Sequence, residues 1–421
     1  MTNVIDILEE RGFIEATTHE EIRDHFDTPR AIYCGFDPTS DSLHLGNLVA
    51  IIGLAWFQRF GHTPVAVVGG ATGLIGDPSG KSHERPLLSK EQLQVNLQGI
   101  RKNIETVLSH DEAAKPVILN NHDWFEGISF LHFLRDVGKQ FRMGPMLSKD
   151  SVRSRLESEE GMSYTEFSYQ LLQAYDFLYL HEHHDVTAQI GGADQWGNIT
   201  AGIDLMKKKG GKTGYGITFP LLTRSDGKKF GKSEKGAIWL SGEKLSPYEF
   251  YQYLFRIPDE DVIPLMHMLT FLEMEEIQKI EQEMKSDRYE TNSAQKRLAS
   301  EVTKMIHGAQ GLEKALAVTS SAKPGAKTQL DSATLEALSE EIPCFDLNDF
   351  QEGCKLIDVV AELKVTSSKG EIRRLIQNGG AYLNNEKLSD PQMLLVEGNF
   401  VDGKYLLLAL GKKNKVIIRR I

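Results

Sequence analysis

A histidine between a strand and a helix is the first sign of chemistry in this 421-residue chain. Residues 31–36 have the apolar character of a buried strand, and residues 45–60 show helical spacing of apolar side chains. The open amides of a helix's first turn and the positive end of its dipole attract anions. Thr39 and His44, at the entrance to this helix, are therefore predicted to lie beside a phosphate.

A glycine-rich loop far downstream is a second candidate phosphate site. It spans residues 223–233 and follows an apolar, strand-like run at 215–222. Lys229 and Lys232 are three residues apart in this loop, and two cations so placed suit a polyphosphate. Alone, the loop would be interpreted as a solvated basic turn. Its combination with the upstream segment favours a nucleotide site.

The two segments resemble paired signatures of a known enzyme class. Residues 44–47 (HLGN) and 229–233 (KFGKS) are similar to the HIGH and KMSKS motifs of class I aminoacyl-tRNA synthetases. Segments 33–39 (YCGFDPT), 76–81 (GDPSGK) and 189–200 (QIGGADQWGNIT) narrow the resemblance to bacterial-type tyrosyl-tRNA synthetases, over nearly the whole chain. Asn47 replaces the second histidine of the HIGH motif, and its amide can form hydrogen bonds but cannot carry a positive charge.

The resemblance implies that L-tyrosine reacts with ATP to give tyrosyl-adenylate and pyrophosphate, and that tyrosine then passes to the 3′ end of tRNA(Tyr). It implies ATP with Mg²⁺ as substrate, no tightly bound cofactor and no metal site on the protein. The implied catalytic residues are Thr39, His44, Lys81, Arg85, Lys229 and Lys232. The implied ATP-binding residues are Cys34, Gly35, Asp37, Thr39, His44, Asn47, Gly192, Asp194, Lys229 and Lys232.

The amino-acid pocket is predicted along one helix. Tyr169, Gln173 and Asp176 are spaced i, i+4 and i+7 within 165–177, so they share a helix face. The resemblance assigns Asp77, with Tyr169 and Gln173, to the ammonium group of tyrosine, and Tyr33, with Asp176, to its phenol hydroxyl. The chemistry agrees, because a phenol both donates and accepts hydrogen bonds. The implied tyrosine-binding residues are Tyr33, Asp77, Tyr169, Gln173, Asp176, Gln189 and Gln195.

The distribution of charge predicts an RNA partner. The net charge is −11, yet residues 355–421 carry 12 Lys and Arg against 7 Asp and Glu, while the remainder carries 36 against 52. Residues 367–384 combine a serine cap, a short basic helix, a Gly-Gly stop and a strand, and resemble the alpha-L RNA-binding module. The predicted tRNA-binding residues are Lys369, Arg373, Arg374, Lys412, Lys413, Lys415, Arg419 and Arg420.

The order of elements predicts an α/β fold with a doubly wound, Rossmann-like parallel sheet. Strands are expected near 31–36, 64–70, 116–121 and 186–192, with helices near 90–109 and 129–141. Four regions are predicted: a catalytic domain binding ATP and tyrosine, an α-helical domain on the anticodon side, a linker region and an alpha-L type RNA-binding module. Their expected ranges are 1–245, 246–318, 319–354 and 355–421.

The remaining features concern location and assembly. The apolar run 48–57 is too short to span a bilayer, and the acidic N-terminus lacks the profile of a signal or transit peptide, so a cytoplasmic protein without membrane contact is expected. The three cysteines are widely spaced, which indicates neither a disulfide framework nor a zinc cluster. The resemblance implies a homodimer, whose interface the sequence does not locate.

Two other functions stay open at this point. A class I synthetase of the tryptophan type would share both phosphate motifs but would not need the Tyr33 and Asp176 pair. An RNA-binding protein derived from an inactive synthetase would keep the terminal module but lose the phosphate-binding groups.

Overall fold

The computed structural model describes residues 3–79, 88–109, 113–225, 227, 230–233, 236–321, 330–411 and 414–421. It contains two compact units, Met1–Lys244 with Ile257–Ile306, and Leu245–Arg256 with His307–Ile421. The predicted helical domain, 246–318, is therefore shared between the two units. The four predicted ranges stay a prediction, and each unit is described by itself.

The elements are as follows. The strands are β1 (Ala16–Thr17), β2 (Ala31–Phe36), β3 (Thr63–Val68), β4 (Val117–Asn120), β5 (Val186–Gly192), β6 (Tyr215–Phe219), β7 (Lys232–Ser233), β8 (Gly236–Ala237), β9 (Cys344–Leu347), β10 (Ala381–Leu383), β11 (Glu386–Lys387), β12 (Tyr405–Leu410) and β13 (Asn414–Arg420). The helices are α1 (Val4–Glu10), α2 (Ile22–His25), α3 (Leu45–Arg59), α4 (Lys90–Val107), α5 (His122–Phe125), α6 (Phe130–Asp136), α7 (Met143–Leu147), α8 (Asp150–Leu156), α9 (Tyr164–His184), α10 (Trp196–Gly210), α11 (Pro247–Phe255), α12 (Asp259–Leu269), α13 (Met274–Met284), α14 (Ser293–Ser321), α15 (Ser332–Glu341), α16 (Leu356–Glu362) and α17 (Lys369–Gln377).

A sheet in the order β1-β6-β5-β2-β3-β4 forms the centre of the first unit. Its neighbouring strands are parallel except for β1, which runs antiparallel to β6. The chain builds β2, β3 and β4 outward on one side and then places β5 on the other side of β2. Ligands of such sheets bind where the strand order reverses, at the carboxyl ends of the strands. The predicted doubly wound parallel sheet is confirmed.

Helix α3 accounts for the apolar run at 48–57. It packs against the sheet with most of its residues buried, because both its sequence and its position leave little polar surface. At Gly53, a Cβ atom would lie 2.5 Å from a ring carbon of Phe219, so only glycine lets the helix approach β6 this closely. Within the described part of the chain, no helix combines the length and apolar character that crossing a membrane requires.

Arg11 connects the N-terminal helix of the first unit to α12. Its guanidinium is buried, and Nη1 donates to the carbonyl oxygens of His267 and Thr270, each at 3.1 Å, while Nη2 donates to that of Leu272. These carbonyls lie at the C-terminal end of α12, where the helix itself supplies no donors. The side chain also covers the ring of Trp56, 4.3 Å from its centroid. One cation thus fixes α12 within this unit.

The second unit is built on a sheet in the order β11-β10-β12-β13-β9, in which only the β13–β9 pair is parallel. Helices α16 and α17 pack their apolar residues on one face of it. Ser368 caps α17, since its Oγ accepts from the amide of Glu371, and Gly379 follows the helix with a φ of 67°. The region predicted as a linker also contains α15 and β9, which the sequence did not predict.

Candidate active site

A cavity of about 390 Å³ lies in the first unit, at the carboxyl ends of β2 and β5. Every predicted catalytic, tyrosine-binding or ATP-binding residue that the structure describes lines it. Three predicted residues, Lys81, Arg85 and Lys229, lie outside the described residues. The predicted residues that line the cavity are Tyr33, Cys34, Gly35, Asp37, Thr39, His44, Asn47, Asp77, Tyr169, Gln173, Asp176, Gln189, Gly192, Asp194, Gln195 and Lys232.

Asp176 lies at one end of the cavity and is only 4% exposed. Trp124 Nε1 donates to its Oδ1 at 2.9 Å, and Asn121 Nδ2 donates to its Oδ2 at 3.1 Å. Burial raises the pKa of Asp176 to about 8, with a further contribution from the negative charge of Asp37, while the two donors act in the opposite direction. The carboxyl group is therefore a buried acceptor whose ionisation depends on its few neighbours.

Two polar atoms next to this carboxyl group are ready for a ligand. Tyr33 Oη and Gln189 Oε1 are buried, and among the residues that the structure describes neither has a hydrogen-bond partner. Burial and the charge of Asp176 raise the pKa of Tyr33 well above its ordinary value, so its hydroxyl stays protonated. A buried polar atom without a partner is costly unless a ligand completes it. A hydroxyl-bearing ring would meet a donor and two acceptors at this end.

A chain of hydrogen bonds connects this end to the middle of the cavity. Asn121 Nδ2 also donates to Thr72 Oγ1 at 2.9 Å, and Thr72 Oγ1 donates to Asp37 Oδ1 at 2.8 Å. Tyr169 Oη donates to the other oxygen, Asp37 Oδ2, at 2.8 Å. Because every link is buried or partly buried, the network fixes the positions of Asp176 and Tyr169 relative to each other.

A second polar group surrounds Asp77, on the opposite wall. Gln195 Nε2 donates to Asp77 Oδ2 at 2.7 Å, and the amide of Ser79 donates to Asp77 Oδ1 at 3.0 Å. Gln173 Nε2 donates to Gln195 Oε1 at 3.2 Å. A carboxylate, carboxamide oxygens and the nearby Tyr169 hydroxyl form the kind of acceptor set that an ammonium group requires.

The helix entrance has a different geometry from the one that the sequence argument assumed. His44 is the N-cap of α3, and its Nδ1 accepts from the amide of Gly46 at 3.1 Å. The amide of Leu45 donates to the carbonyl oxygen of Ile238 at 2.8 Å. The expectation that these first-turn amides are open to an anion was wrong, because the protein itself occupies them. Since His44 Nδ1 is an acceptor here, the neutral ring carries its proton on Nε2, which can donate to a phosphate.

Asn47 supports this cap. Its Oδ1 accepts from the backbone amide of His44 at 3.1 Å, which completes a capping box. The amide thus has a structural partner on its own helix while it also lines the cavity. A neutral acceptor is sufficient for this contact, which is consistent with asparagine where the related motif has histidine.

The described part of the downstream loop lies against the same helix entrance. Phe230 N donates to the carbonyl oxygen of Leu222 at 3.0 Å, and Ile238 N donates to that of Gly231 at 2.9 Å. A Cβ atom at Gly231 would lie 2.8 Å from the amide nitrogen of Gly46, and its φ is 80°, so glycine is required by both space and conformation. The two phosphate motifs therefore meet, and Lys232 faces the cavity with Thr39 and His44.

Sequence reasoning missed four residues that hold the predicted ones: Thr72, Asn121, Trp124 and Asn198. Each is a donor to a side chain of the site and none belongs to a phosphate motif. Asn198 was available within the segment 189–200, but its neighbours come from three other parts of the chain. In the described chain, no group of three or more His, Cys, Asp or Glu side chains is arranged to hold a metal ion.

The predicted RNA-binding residues of the second unit differ in their contacts. Lys369 pairs with Asp358 at 2.9 Å, and the arginines at the chain's end pair with acidic residues at 2.7 and 3.2 Å. Burial lowers the pKa of Lys415 to about 8, with a further contribution from Arg256. Arg373 and Arg374 are exposed on α17, while Lys412 and Lys413 lie outside the described residues.

Comparison with known proteins gives consistent matches along the chain. The model of the family "tRNA synthetases class I (W and Y)" matches residues 27–322, and the "Tyrosine–tRNA ligase SYY-like C-terminal domain" matches residues 334–418. The chain is 58% identical to the tyrosine–tRNA ligase of Protochlamydia amoebophila, over 100% of this chain and 99% of that protein. It is 50% identical to the chloroplastic/mitochondrial tyrosine–tRNA ligase of Arabidopsis thaliana, over 99% and 83%. A C-terminally truncated mitochondrial tyrosyl-tRNA synthetase of Aspergillus nidulans superposes with a TM-score of 0.67 at 31% identity, over 75% of this chain and 92% of that one.

Proposed function

Because this chain belongs to the tyrosine–tRNA ligase family of class I tRNA synthetases, we propose that it activates L-tyrosine with ATP and transfers the tyrosyl group to the 3′ end of tRNA(Tyr). The cavity carries this proposal. Its walls combine a hydroxyl-reading end, an ammonium-reading wall and a phosphate-reading entrance in one continuous site. A tyrosine and the triphosphate of ATP need these three environments.

In the first step, the carboxylate of tyrosine attacks the α-phosphorus of ATP. A new C–O–P linkage forms, the α–β P–O bond breaks, and pyrophosphate leaves with the electron pair. The carboxylate is already ionised, so no nucleophilic residue or general base is needed, and the protein contributes positioning and charge stabilisation. Thr39, His44 and Lys232 face the phosphates, with Lys81, Arg85 and Lys229 as further contacts of the leaving group. Mg²⁺ accompanies ATP through phosphates and water.

The substrate pocket follows the two polar groups of the cavity. Asp176 and Tyr33 contact the phenol hydroxyl of tyrosine, with Gln189 beside them. Asp77 and Gln173 contact the ammonium group, together with Tyr169 and Gln195. Cys34, Gly35, Asp37, Asn47, Gly192 and Asp194 surround the nucleoside part of ATP. Burial raises the pKa of the Cys34 thiol to about 12, so this residue contributes contacts as a neutral group.

In the second step, the terminal adenosine hydroxyl of tRNA attacks the carbonyl carbon of tyrosyl-adenylate. An ester bond forms, and AMP leaves. The acceptor end must therefore enter the same cavity. Recognition of the rest of the tRNA belongs to the second unit, whose α17 presents basic side chains.

The decisive experiment is amino-acid-dependent pyrophosphate exchange with each of the twenty amino acids. Exchange with tyrosine alone supports the proposal. Exchange with tryptophan would instead favour the tryptophan-type activity, against which the polar Tyr33 and Asp176 pair argues. A folded protein without exchange for any amino acid would favour an RNA-binding protein without catalysis.

Charge reversal at Arg373 and Arg374 is expected to weaken tRNA binding while tyrosyl-adenylate formation is retained. These exposed side chains are free to meet phosphates, and each phosphate contact steepens the dependence of affinity on salt. We expect Arg373→Glu with Arg374→Glu to raise the KM for tRNA at least about tenfold and to flatten its salt dependence by roughly two charges. Lys404→Glu, an exposed reversal in the same unit, is the control. Equal effects of both proteins on charging would remove α17 from the tRNA contact.

The protein acts as a homodimer, and an apolar surface of the first unit is the proposed interface. Large apolar side chains are exposed on three consecutive helices, α6 to α8, and on the first residue of α9. Such clusters mark interaction surfaces, whereas single exposed apolar residues are common. The side chains concerned are Phe130, Leu131, Met143, Leu147, Leu156 and Tyr164.

Leu131→Asp is expected to convert the dimer to monomers, because Leu131 is 77% exposed and a carboxylate buried in an apolar interface has no partner. The dissociation constant should rise at least about a hundredfold, or about 3 kcal/mol. Analytical ultracentrifugation measures it. Val95→Asp is the matched control, since Val95 is 54% exposed on α4, outside this cluster. A dimer of unchanged strength in Leu131→Asp would place the interface elsewhere.

The working compartment is the cytoplasm, where tRNA and ATP are both available. The acidic N-terminal segment, with Asp6, Glu9 and Glu10, supports this location, because transit peptides are poor in acidic residues. The three free thiols are also compatible with a reducing compartment.

A further inference from the structure

Asn198 lies behind the ammonium-reading wall of the cavity. It is the third residue of α10 and is 6% exposed. Its side chain points at the residues that line this wall, yet it is not itself among the lining residues. It is therefore placed to act on the site through other side chains.

Four oxygen atoms surround the Nδ2 atom of Asn198. The distances are 3.0 Å to Gln173 Oε1, 3.2 Å to Ser79 Oγ, 3.3 Å to Gln195 Oε1 and 3.4 Å to Asp77 Oδ1. A carboxamide nitrogen has only two N–H bonds. The wall thus holds more acceptors than this donor can satisfy, and a cation with three N–H bonds would balance the excess.

We infer that Asn198 is a positioning residue for the ammonium group of the amino-acid substrate. By donating to Gln173 and Gln195, it keeps their amide oxygens turned toward the group around Asp77. This inference rests on the proposed function, and adds to it a residue that sets how strongly an ammonium group is recognised.

The physical reason is the two-sided character of a carboxamide. A glutamine side chain can rotate by half a turn and exchange its oxygen for its NH₂ group at almost no cost in shape. In the wrong orientation, Gln173 would present N–H bonds to a cation, which repels it. A buried donor that accepts only one of the two orientations removes this alternative before the substrate arrives.

The test compares two ligands that differ only in the ammonium group: L-tyrosine and 3-(4-hydroxyphenyl)propionate. In Asn198→Ala, the Kd for tyrosine is expected to rise about ten- to a hundredfold, which corresponds to one unsatisfied buried hydrogen bond. The Ki of the analogue in pyrophosphate exchange is expected to change less than about twofold, since it makes no ammonium contact. The selective loss is the signature of positioning.

Asn198→Leu provides a second variant of similar volume without a donor, so that an effect shared with alanine reports the lost hydrogen bonds and not a cavity. Gln58→Ala is the matched control. Gln58 is an equally buried amide of the first unit, and its contacts are with backbone groups of Ser109 and Ala114, away from the cavity. Thermal unfolding of each variant reports its folding.

The outcomes separate the two levels of the argument. If the unmodified protein forms no tyrosyl-adenylate, the proposed function fails and the ligand comparison is not reached. If the unmodified protein is active, an equal loss for both ligands in either Asn198 variant would show a merely structural role and overturn the inference. Unchanged tyrosine affinity in both variants would overturn it as well. Loss of tyrosine alone, with Gln58→Ala unaffected, supports it.

Discussion

Asp176→Ala is expected to lower kcat/KM for tyrosine activation roughly a thousandfold, and to bring tyrosine close to phenylalanine as a substrate. The variant leaves the substrate hydroxyl without its acceptor, and it also leaves Asn121 Nδ2 and Trp124 Nε1 without one. Each unsatisfied buried polar group costs about 1–3 kcal/mol, and about 4 kcal/mol in total corresponds to a thousandfold in rate. Pyrophosphate exchange with tyrosine and phenylalanine measures both numbers.

The comparison with phenylalanine makes the result specific. A general loss of folding or of ATP binding would reduce exchange with both amino acids, whereas loss of hydroxyl recognition reduces only the preference for tyrosine. Asp176→Asn keeps the size of the side chain but turns one acceptor into a donor facing Asn121 or Trp124, so it should fail as well. If either variant retained the full preference for tyrosine, Asp176 would not contact the hydroxyl.

Trp124→Phe gives a graded control, because it removes one donor to Asp176 and keeps the aromatic ring that stacks on Tyr179 at 4.6 Å. The donor stabilises the carboxylate, so its loss raises the pKa of Asp176 above about 8. If the carboxylate is the form that accepts from the substrate, kcat/KM falls at neutral pH and recovers as the pH rises. The acid limb of the profile should move to higher pH than in the unmodified protein.

The sequence predicted the architecture of the catalytic unit because its signals are local. Apolar runs with turn residues between them predicted β2 to β5, and helical spacing predicted that Tyr169, Gln173 and Asp176 share one face of α9. The positions of Thr39 and His44 followed from the strand-to-helix connection. These conclusions needed only the neighbours of each residue along the chain.

The parts that the sequence did not predict depend on contacts between distant segments. Asn121 supports Asp176 from 55 positions away, and Asn198 reaches Asp77 from 121 positions away. No local pattern distinguishes these asparagines from turn or cap residues. The occupied amides at the start of α3 were missed for the same reason, since the carbonyl of Ile238 comes from the downstream loop.

Charge patterns gave a similar mixture. The basic balance of 355–421 was visible in composition, but composition does not reveal which cations are already paired. The structure pairs Lys369, Arg419 and Arg420 with carboxylates of the same unit. Exposed pairs of this kind are worth little energetically, yet they reduce the charge that is available to RNA. Arg373 and Arg374 therefore become the sharper test of the RNA contact.

Lys232→Ala is expected to slow tyrosyl-adenylate formation about a hundredfold while the Kd for tyrosine changes little. Lys232 faces the cavity beside Thr39 and His44, on the side away from the tyrosine-reading residues. Its charge meets the negative charge that grows on the leaving pyrophosphate, so it stabilises the transition state more than bound tyrosine. Loss of one preorganised electrostatic contact costs about 3 kcal/mol. Single-turnover adenylate formation, with tyrosine affinity from equilibrium dialysis, separates the two effects.

Lys244→Ala is the control for charge near this site. Lys244 also lies close to the helix entrance, 4.5 Å from the ring centroid of Trp239, but its amine pairs with Asp41 and donates to Ser40. The pair is largely exposed, so its removal should change the rate by no more than about fivefold, or 1 kcal/mol. The same prediction holds for Lys229→Ala as for Lys232→Ala. A normal rate in both loop variants would refute the role of the loop, and equal losses in Lys232→Ala and Lys244→Ala would indicate a general charge effect instead of a contact with the leaving group.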